Sequence, residues 1–242
     1  MQILLLILLF FWGNCQLINH QTVNVKQGIL DLSSGFDPTE EIYMDGEWEF
    51  YWNTLLESKD EIICKHSNSD STQCPETDFI QVPGDWANPP AYSGSKNYMI
   101  GGLASYRLVI VSQNARQYSI RTGLINSAYK IYLNGNLVFA KGVLEEDKFQ
   151  PIRSRHVIPL ELKTGNNELI IQVSNYMTPR SGIIDSLFFG ESELVRSTRQ
   201  LYLSREVFIS GMLFIFSIYH LSLYFSGRKE QSYLYYALFN LI

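Results

Sequence analysis

The sequence is short of the features on which most functions rest. It has no basic excess: 19 lysines and arginines stand against 24 aspartates and glutamates, a net charge of −5. That argues against nucleic acid, whose phosphates reward basic patches. It contains no G-x-S-x-G, H-E-x-x-H, P-loop or dinucleotide glycine motif, so the usual nucleophilic, metal-hydrolytic and nucleotide-binding sites have no anchor. Its histidines, His20, His66, His156 and His220, are scattered without ligand spacing, and neither a metal site nor a cofactor is expected. Acidic pairs such as Glu40-Glu41 and Glu145-Glu146 read as solvated loop residues. Glycoside hydrolysis would need two carboxylates placed across a cleft, and the sequence singles out no such pair. The chain is therefore expected to bind rather than to catalyse.

Long apolar runs are few, and both are informative. Residues 3–12 are unbroken apolar, about half of what a spanning helix needs and the length of a signal-peptide core. Gly13 and Cys15 form a small-x-small pair before Gln16, which places cleavage after residue 15; lipidation at Cys15 and an uncleaved anchor are the alternatives. The second run, residues 207–225, carries no formal charge over 19 positions, about 28 Å of helix and thus the thickness of a bilayer core. Arg228 and Lys229 follow it, favouring a cytoplasmic side for that end, with Arg205 on the other flank voting the opposite way. Residues 232–242 restart apolar but are too few to span, so they read as the start of a second membrane helix in a truncated chain.

Cysteine is scarce, three in all. With Cys15 in the leader, Cys64 and Cys74 remain, flanking a polar loop. In an exported domain they are expected to form a disulfide, worth about 2–3 kcal/mol through restriction of the unfolded chain; two free thiols are the alternative.

Between the apolar runs the pattern is that of short strands. Trp48, Phe50 and Trp52 alternate with Glu47, Glu49 and Tyr51, the period-two signature of a half-buried strand with the three rings in the core. Further strands are read at residues 79–82, 106–111, 117–122, 128–133, 136–141, 155–162, 168–175 and 182–189. Asn134-Gly135 sits between two of them and suits a type I′ hairpin. Many strands, little helix and Gly/Pro punctuation give a mainly β chain, an antiparallel sandwich. The Cys…Trp…Cys signature of immunoglobulin domains is absent.

Two stretches carry resemblances. The hairpin IYLNGNLVFAKG, the segment HVIPLEL, the strand TGNNELIIQVSNY and the turn VPGDW at residues 82–86 together resemble the galactose-binding-like jelly roll, including the accessory domain of β-galactosidase-type glycosidases. That resemblance implies a jelly-roll wiring. A calcium ion sometimes accompanies the fold, but no acidic loop here identifies one. The glycosidases' catalytic carboxylates lie in a separate barrel that this sequence lacks. The second stretch, YHLSLYFSGRKEQSYLYYALFNL, is similar to the first transmembrane helix of bacterial seven-transmembrane receptors with diverse intracellular signalling modules. Those receptors share the layout of leader, extracellular jelly roll, seven helices and an output module, of which the last six helices and the output are missing here.

The expected organisation is a signal peptide at 1–15, a lead-in at 16–42, an extracytoplasmic jelly roll at 43–191, a connector at 192–206, a transmembrane helix at 207–225, and a cytoplasmic loop with the start of a second helix at 226–242. The expected function is the ligand-sensing portion of a membrane receptor, with carbohydrate as the ligand class implied by the fold. A surface binding or adhesion protein without output, and a remnant of an exported glycosidase, are the alternatives. Partners are the membrane, an extracellular ligand and, for an anchored chain, a second copy of itself. Sugar recognition favours aromatic faces with a few polar groups. Candidate ligand residues are Trp86, Tyr92 and Tyr98 in the Pro/Gly-rich loop at 84–98, and Arg153 and Arg155, which would pair with a carboxylate or sulfate. Each has a plainer reading: Trp86 as core, the tyrosines as loop residues, the arginines as a solvated face. Tyr219 and His220 are polar within the membrane stretch, a functional candidate or a contact between helices.

Overall fold

The structure, a computed structural model, describes residues 20–21, 23–33, 36–58, 77–89, 96–123, 125, 127–151, 155–228 and 230–240. The leader, Cys64, Cys74, Tyr92 and Arg153 lie outside them. The chain divides into two units, Met1–Val195 and Arg196–Ile242.

The first unit is a two-sheet sandwich. Its strands are β1 (His20–Gln21), β2 (Ile29–Asp31), β3 (Glu41–Tyr43), β4 (Gly46–Trp52), β5 (Asp78–Val82), β6 (Gly102–Ser112), β7 (Arg116–Arg121), β8 (Ala128–Leu133), β9 (Asn136–Lys141), β10 (Val157–Leu162), β11 (Gly165–Asn175) and β12 (Phe188–Glu191). The larger sheet runs β5-β4-β6-β11-β8-β9, with β2 added beside β6; the smaller runs β1-β3-β12-β7-β10. From β6 onward the chain crosses between sheets at every step except the β8–β9 hairpin, which is the wiring of a jelly roll. All pairings are antiparallel except β1 with β3 and β2 with β6. The mainly β, antiparallel jelly-roll reading therefore holds.

The alternation in β4 does what its sequence implies. Trp48 and Phe50 are fully buried in the core; the Trp48 indole N–H donates to the Met44 carbonyl (2.9 Å), and Phe50 packs with Trp52, Trp86 and Tyr106 in a ring cluster with centroids 5.0–6.4 Å apart. The hairpin turn has Asn134 at φ 50° and Gly135 at φ 77°, the positive values a type I′ turn requires. Two segments differ from the expected strands. Residues 29–31, in the stretch read as lead-in, and 41–43, at its end, form β2 and β3; three-residue strands are too short to display a period. Residues 182–187, read as the first part of a strand, are irregular, and pairing starts only at Phe188. Gly182 sits at φ 107°, where a Cβ would lie 2.5 Å from the Tyr106 hydroxyl.

The outer face of the larger sheet is covered too. Residues 53–58 fold back across it: Leu56 N–H donates to Ser105 Oγ (2.9 Å) and Gln172 Nε2 to the Leu56 carbonyl (3.0 Å). This closes a small core of Tyr51, Leu56, Tyr132 and Ile170. Beside it Arg107 donates to Glu168 Oε1 (2.5 Å) and Glu49 Oε2 (2.7 Å), with its side chain 7% exposed. Burial pulls the guanidinium pKa down, and the bonds to the two carboxylates outweigh that and hold it above its ordinary value.

The second unit contains most of the long helix Ser192–Leu223, which runs through a π-helical turn (Tyr224–Arg228) toward the short helix Gln231–Phe239. Among the described residues it is the one helix long and apolar enough to cross a membrane. Ser217 Oγ donates to the Ala237 carbonyl (2.8 Å), and the His220 ring packs against Tyr233 (6.2 Å) and Tyr236 (5.6 Å). His220 thus takes the helix-contact reading, while Tyr219 is exposed.

Two outcomes follow. Arg107→Met leaves two half-buried carboxylates facing each other and is expected to lose about 3–5 kcal/mol in urea unfolding. Asp45 accepts from Ser186 Oγ (3.0 Å) while its other oxygen is buried without a hydrogen-bond partner among the described residues. Burial raises its pKa, with the Ser186 bond opposing. The folded state then holds the proton more tightly than the unfolded, so this contribution to stability falls as pH rises from about 4 through the raised value. Asp45→Asn is expected to raise the urea midpoint at pH 7, and the gain should vanish once the pH is below about 4.

Candidate functional site

Strand register places the candidate loops together. Gly102 opens β6 opposite Asn175, the end of β11; Ala128 opens β8 opposite Ser174; Lys141 closes β9 opposite Tyr129. One rim of the sandwich therefore carries the segments at 96–101, 142–151, 155–156 and 176–187.

Asn175, fully buried, builds this rim. Its Nδ2 donates to the carbonyls of Thr178 (2.9 Å) and Arg180 (3.0 Å) and to Ser181 Oγ (2.8 Å). Its Oδ1 accepts from the N–H groups of Met177 (3.3 Å) and Thr178 (3.1 Å) and from Thr178 Oγ1 (3.0 Å). Ser181 Oγ donates in turn to the Ile100 carbonyl, and Trp86 Nε1 to that of Met99 (2.9 Å). Two neighbouring segments are thus fixed from below by buried polar groups.

What they present is apolar and aromatic. Met99 is 71%, Ile100 55% and Met177 72% exposed. Tyr176 meets Phe149 edge-on, with centroids 5.4 Å apart. Burial, and to a lesser degree the charge of Glu146, raises the Tyr176 phenol pKa. Arg155 and Arg180 are exposed on the same rim. The set combines aromatic faces, a carboxylate and two guanidinium groups, enough to stack on and hydrogen-bond a sugar or to hold an acidic group.

The residues singled out from sequence fare unequally. Trp86 is 0% exposed and belongs to the core; its ring supports the rim from inside. It was a ligand candidate because its loop is rich in proline and glycine, yet residues 84–86 run beside residues 181–183, with Gly84 and Trp86 N–H donating to the carbonyls of Ile183 and Ser181. Tyr98 is half-buried against Phe50 and Trp52, both 5.0 Å away, and its hydroxyl donates to Asp78 (2.8 Å). Arg155 is at the rim as described. Glu146 was read as a solvated loop residue, and Tyr176, Met177 and Met99 were not singled out; the signal for Tyr176 and Met177 was the asparagine ending a strand before a turn containing proline and glycine, at 175–182.

A second recess, of about 450 Å³, lies by the hairpin turn, lined by Leu133, Asn134, Asn136, Val138, Pro159, Glu161 and Lys163. It has no aromatic ring to stack on a sugar. No group of three or more His, Cys, Asp or Glu that could hold a metal occurs among the described residues.

No protein-family model matches the sequence, and no curated protein is similar to it. Solved structures are similar at a distance. A GH2 β-galacturonidase from Eisenbergiella tayi bound to galacturonate shares 14% identity at a TM-score of 0.41, over 63% of this chain and 24% of that one. A Ruminococcus gnavus β-glucuronidase shares 13% at 0.44, over 62% and 28%. The chain spans about a quarter of the length of these structures. Likenesses this distant carry no statement about activity, and the fold assignment rests on the strand order above.

Asn175→Ala is expected to free residues 176–181, seen as faster amide exchange there, and to cost about 1–3 kcal/mol. Trp86→Ala should cost about 3–5 kcal/mol in global stability. Tyr176→Ala should leave the melting temperature close to wild type.

Proposed function

We propose that this chain is the ligand-sensing part of a membrane receptor, with the sandwich outside the cytoplasm and the rim around Tyr176 and Phe149 as its binding surface. One observation carries the reading: β12, at the middle of the smaller sheet, passes without a loop into the helix that is long and apolar enough to cross a membrane. A folded module joined directly to such a helix is suited to report its state to the membrane. A ligand that binds the module more tightly in one state than in another shifts the balance between them.

Charge does not decide the side. Arg196, Arg199 and Arg205 precede the apolar stretch, and Arg228 and Lys229 follow it. Large folded domains translocate largely regardless of such charges, so the apolar stretch at 3–12, read as a leader, supports the outside placement. Carbohydrate is the ligand class we propose, supported by the Tyr176–Phe149 pair with Glu146 beside it, and the arginines favour acidic sugars. The exposed Met99, Ile100 and Met177 favour a second reading, contact with another protein, as in surface adhesion.

The full chain in lipid nanodiscs, applied to a glycan array, is expected to retain acidic glycans, and Tyr176→Ala and Phe149→Ala are each expected to weaken retention about tenfold or more. A folded wild-type chain that retains none removes the carbohydrate proposal. Protease added to cells with a permeabilised envelope but an intact cytoplasmic membrane is expected to cut the sandwich; protection until that membrane is lysed removes the outside placement.

A further inference from the structure

The strand that leads into the long helix is weakly specified by its own sequence. β12 is four residues long. It pairs with β7 at all four and with β3 at Phe188 and Phe189 only. Leu187, Phe188 and Phe189 are consecutive apolar residues, so a one-residue slip would still point a large apolar side chain at the core. Such a slip ordinarily exposes the apolar set and is thereby prevented; here that safeguard is missing.

The outer face of the smaller sheet supplies one. Arg121 on β7 lies over the Phe188 ring, its guanidinium carbon 3.8 Å from the centroid. Its Nη2 donates to Glu41 Oε2 on β3 at 2.5 Å. The guanidinium thus crosses β12 from one neighbouring strand to the other. The Glu41 side chain is 0% exposed and that of Arg121 14%. The space they use is left by Gly190, where a Cβ would lie 3.6 Å from Glu41 Cγ and 3.3 Å from Val195 Cγ2. Val195, in the first turn of the long helix, is fully buried, and Ser119 Oγ donates to Ser192 Oγ (2.9 Å). Shifting β12 by one residue would drive a phenylalanine or Glu191 into the place of Gly190.

A buried pair of this kind is a poor source of stability. Desolvation of two charges offsets their attraction, and Glu41 Oε1 is buried with no hydrogen-bond partner among the described residues. Its best-attested use is to select one arrangement among competitors. We propose that Arg121 and Glu41 form a latch over β12 that fixes its register and with it the seating of residues 192–195, the released or slipped strand being the alternative state. Only the further step, that ligand binding drives the change, rests on the sensing role proposed above.

The test uses the full chain in nanodiscs, without ligand, so that it does not depend on what the rim binds. Amide exchange is followed in 188–195 and, as internal reference, in 104–111 of β6. The double variant Glu41→Leu/Arg121→Met is expected to melt at or above the wild-type temperature while exchange in 188–195 rises about tenfold and 104–111 stays unchanged. Unchanged exchange in 188–195 overturns the latch. If the double variant fails to fold, Arg121→Lys decides, since it keeps the charge but loses the planar fork over Phe188. A selective rise in 188–195 supports the proposal; equal exchange in both segments overturns it.

Discussion

The structure depends on one long pairing. β6 and β11 are antiparallel over their whole eleven residues, from Gly102 opposite Asn175 to Ser112 opposite Gly165. Their inner faces supply Tyr106, Leu108, Ile110, Leu169, Ile171 and Val173 to the core, each at most 1% exposed. Their outer faces carry Arg107 and Glu168, the charged centre beside the small core closed by residues 53–58. Their shared end sets the rim, since Asn175 and Gly102 begin the two segments that Met99, Ile100 and Met177 project from. A change of register there would move core, ion pairs and candidate site together.

That dependence explains what could be read from the sequence. β4, β6 and the β8–β9 hairpin announce themselves because each is long enough to show a period or holds Asn-Gly at its turn. The sandwich followed by a membrane-length helix could be inferred from these alone. β2 and β3 could not, since three residues have no period and their partners lie far along the chain. The rim was half legible. The loop preceding Tyr98 and the arginine at 155 were marked in the sequence, but that they converge with Tyr176 follows only from register, which is a long-range quantity. Trp86 is the instructive error of emphasis. A tryptophan among prolines and glycines looks displayed, yet its N–H holds the Met99 carbonyl from within, so it shapes the surface it was expected to form.

The two buried ion pairs serve different ends. Arg107 lies between two carboxylates that are themselves 17% and 18% exposed, so all three charges keep some access to water and the desolvation cost is shared. Glu41 has none of that relief, being fully enclosed with a single arginine. If both pairs were kept for stability, the second would be the one replaced by apolar residues. Its position across the short strand β12 gives the reason to keep it.

The geometry also constrains how β12 and residues 192–195 can influence one another. β12 lies in the middle of its sheet, held by β3 on one side and β7 on the other, and its last residue is followed at once by helix. A flexible linker would let each part move without the other. Here residues 192–195 are part of the sandwich, with Val195 buried and Ser192 bonded to Ser119. Any displacement of β12 must carry the first helical turn with it or break those contacts. Phe188 faces Tyr43 and Arg121 on the outer side, while Phe189 faces the core beside Tyr118, so a change in packing on either face of the smaller sheet reaches the same strand.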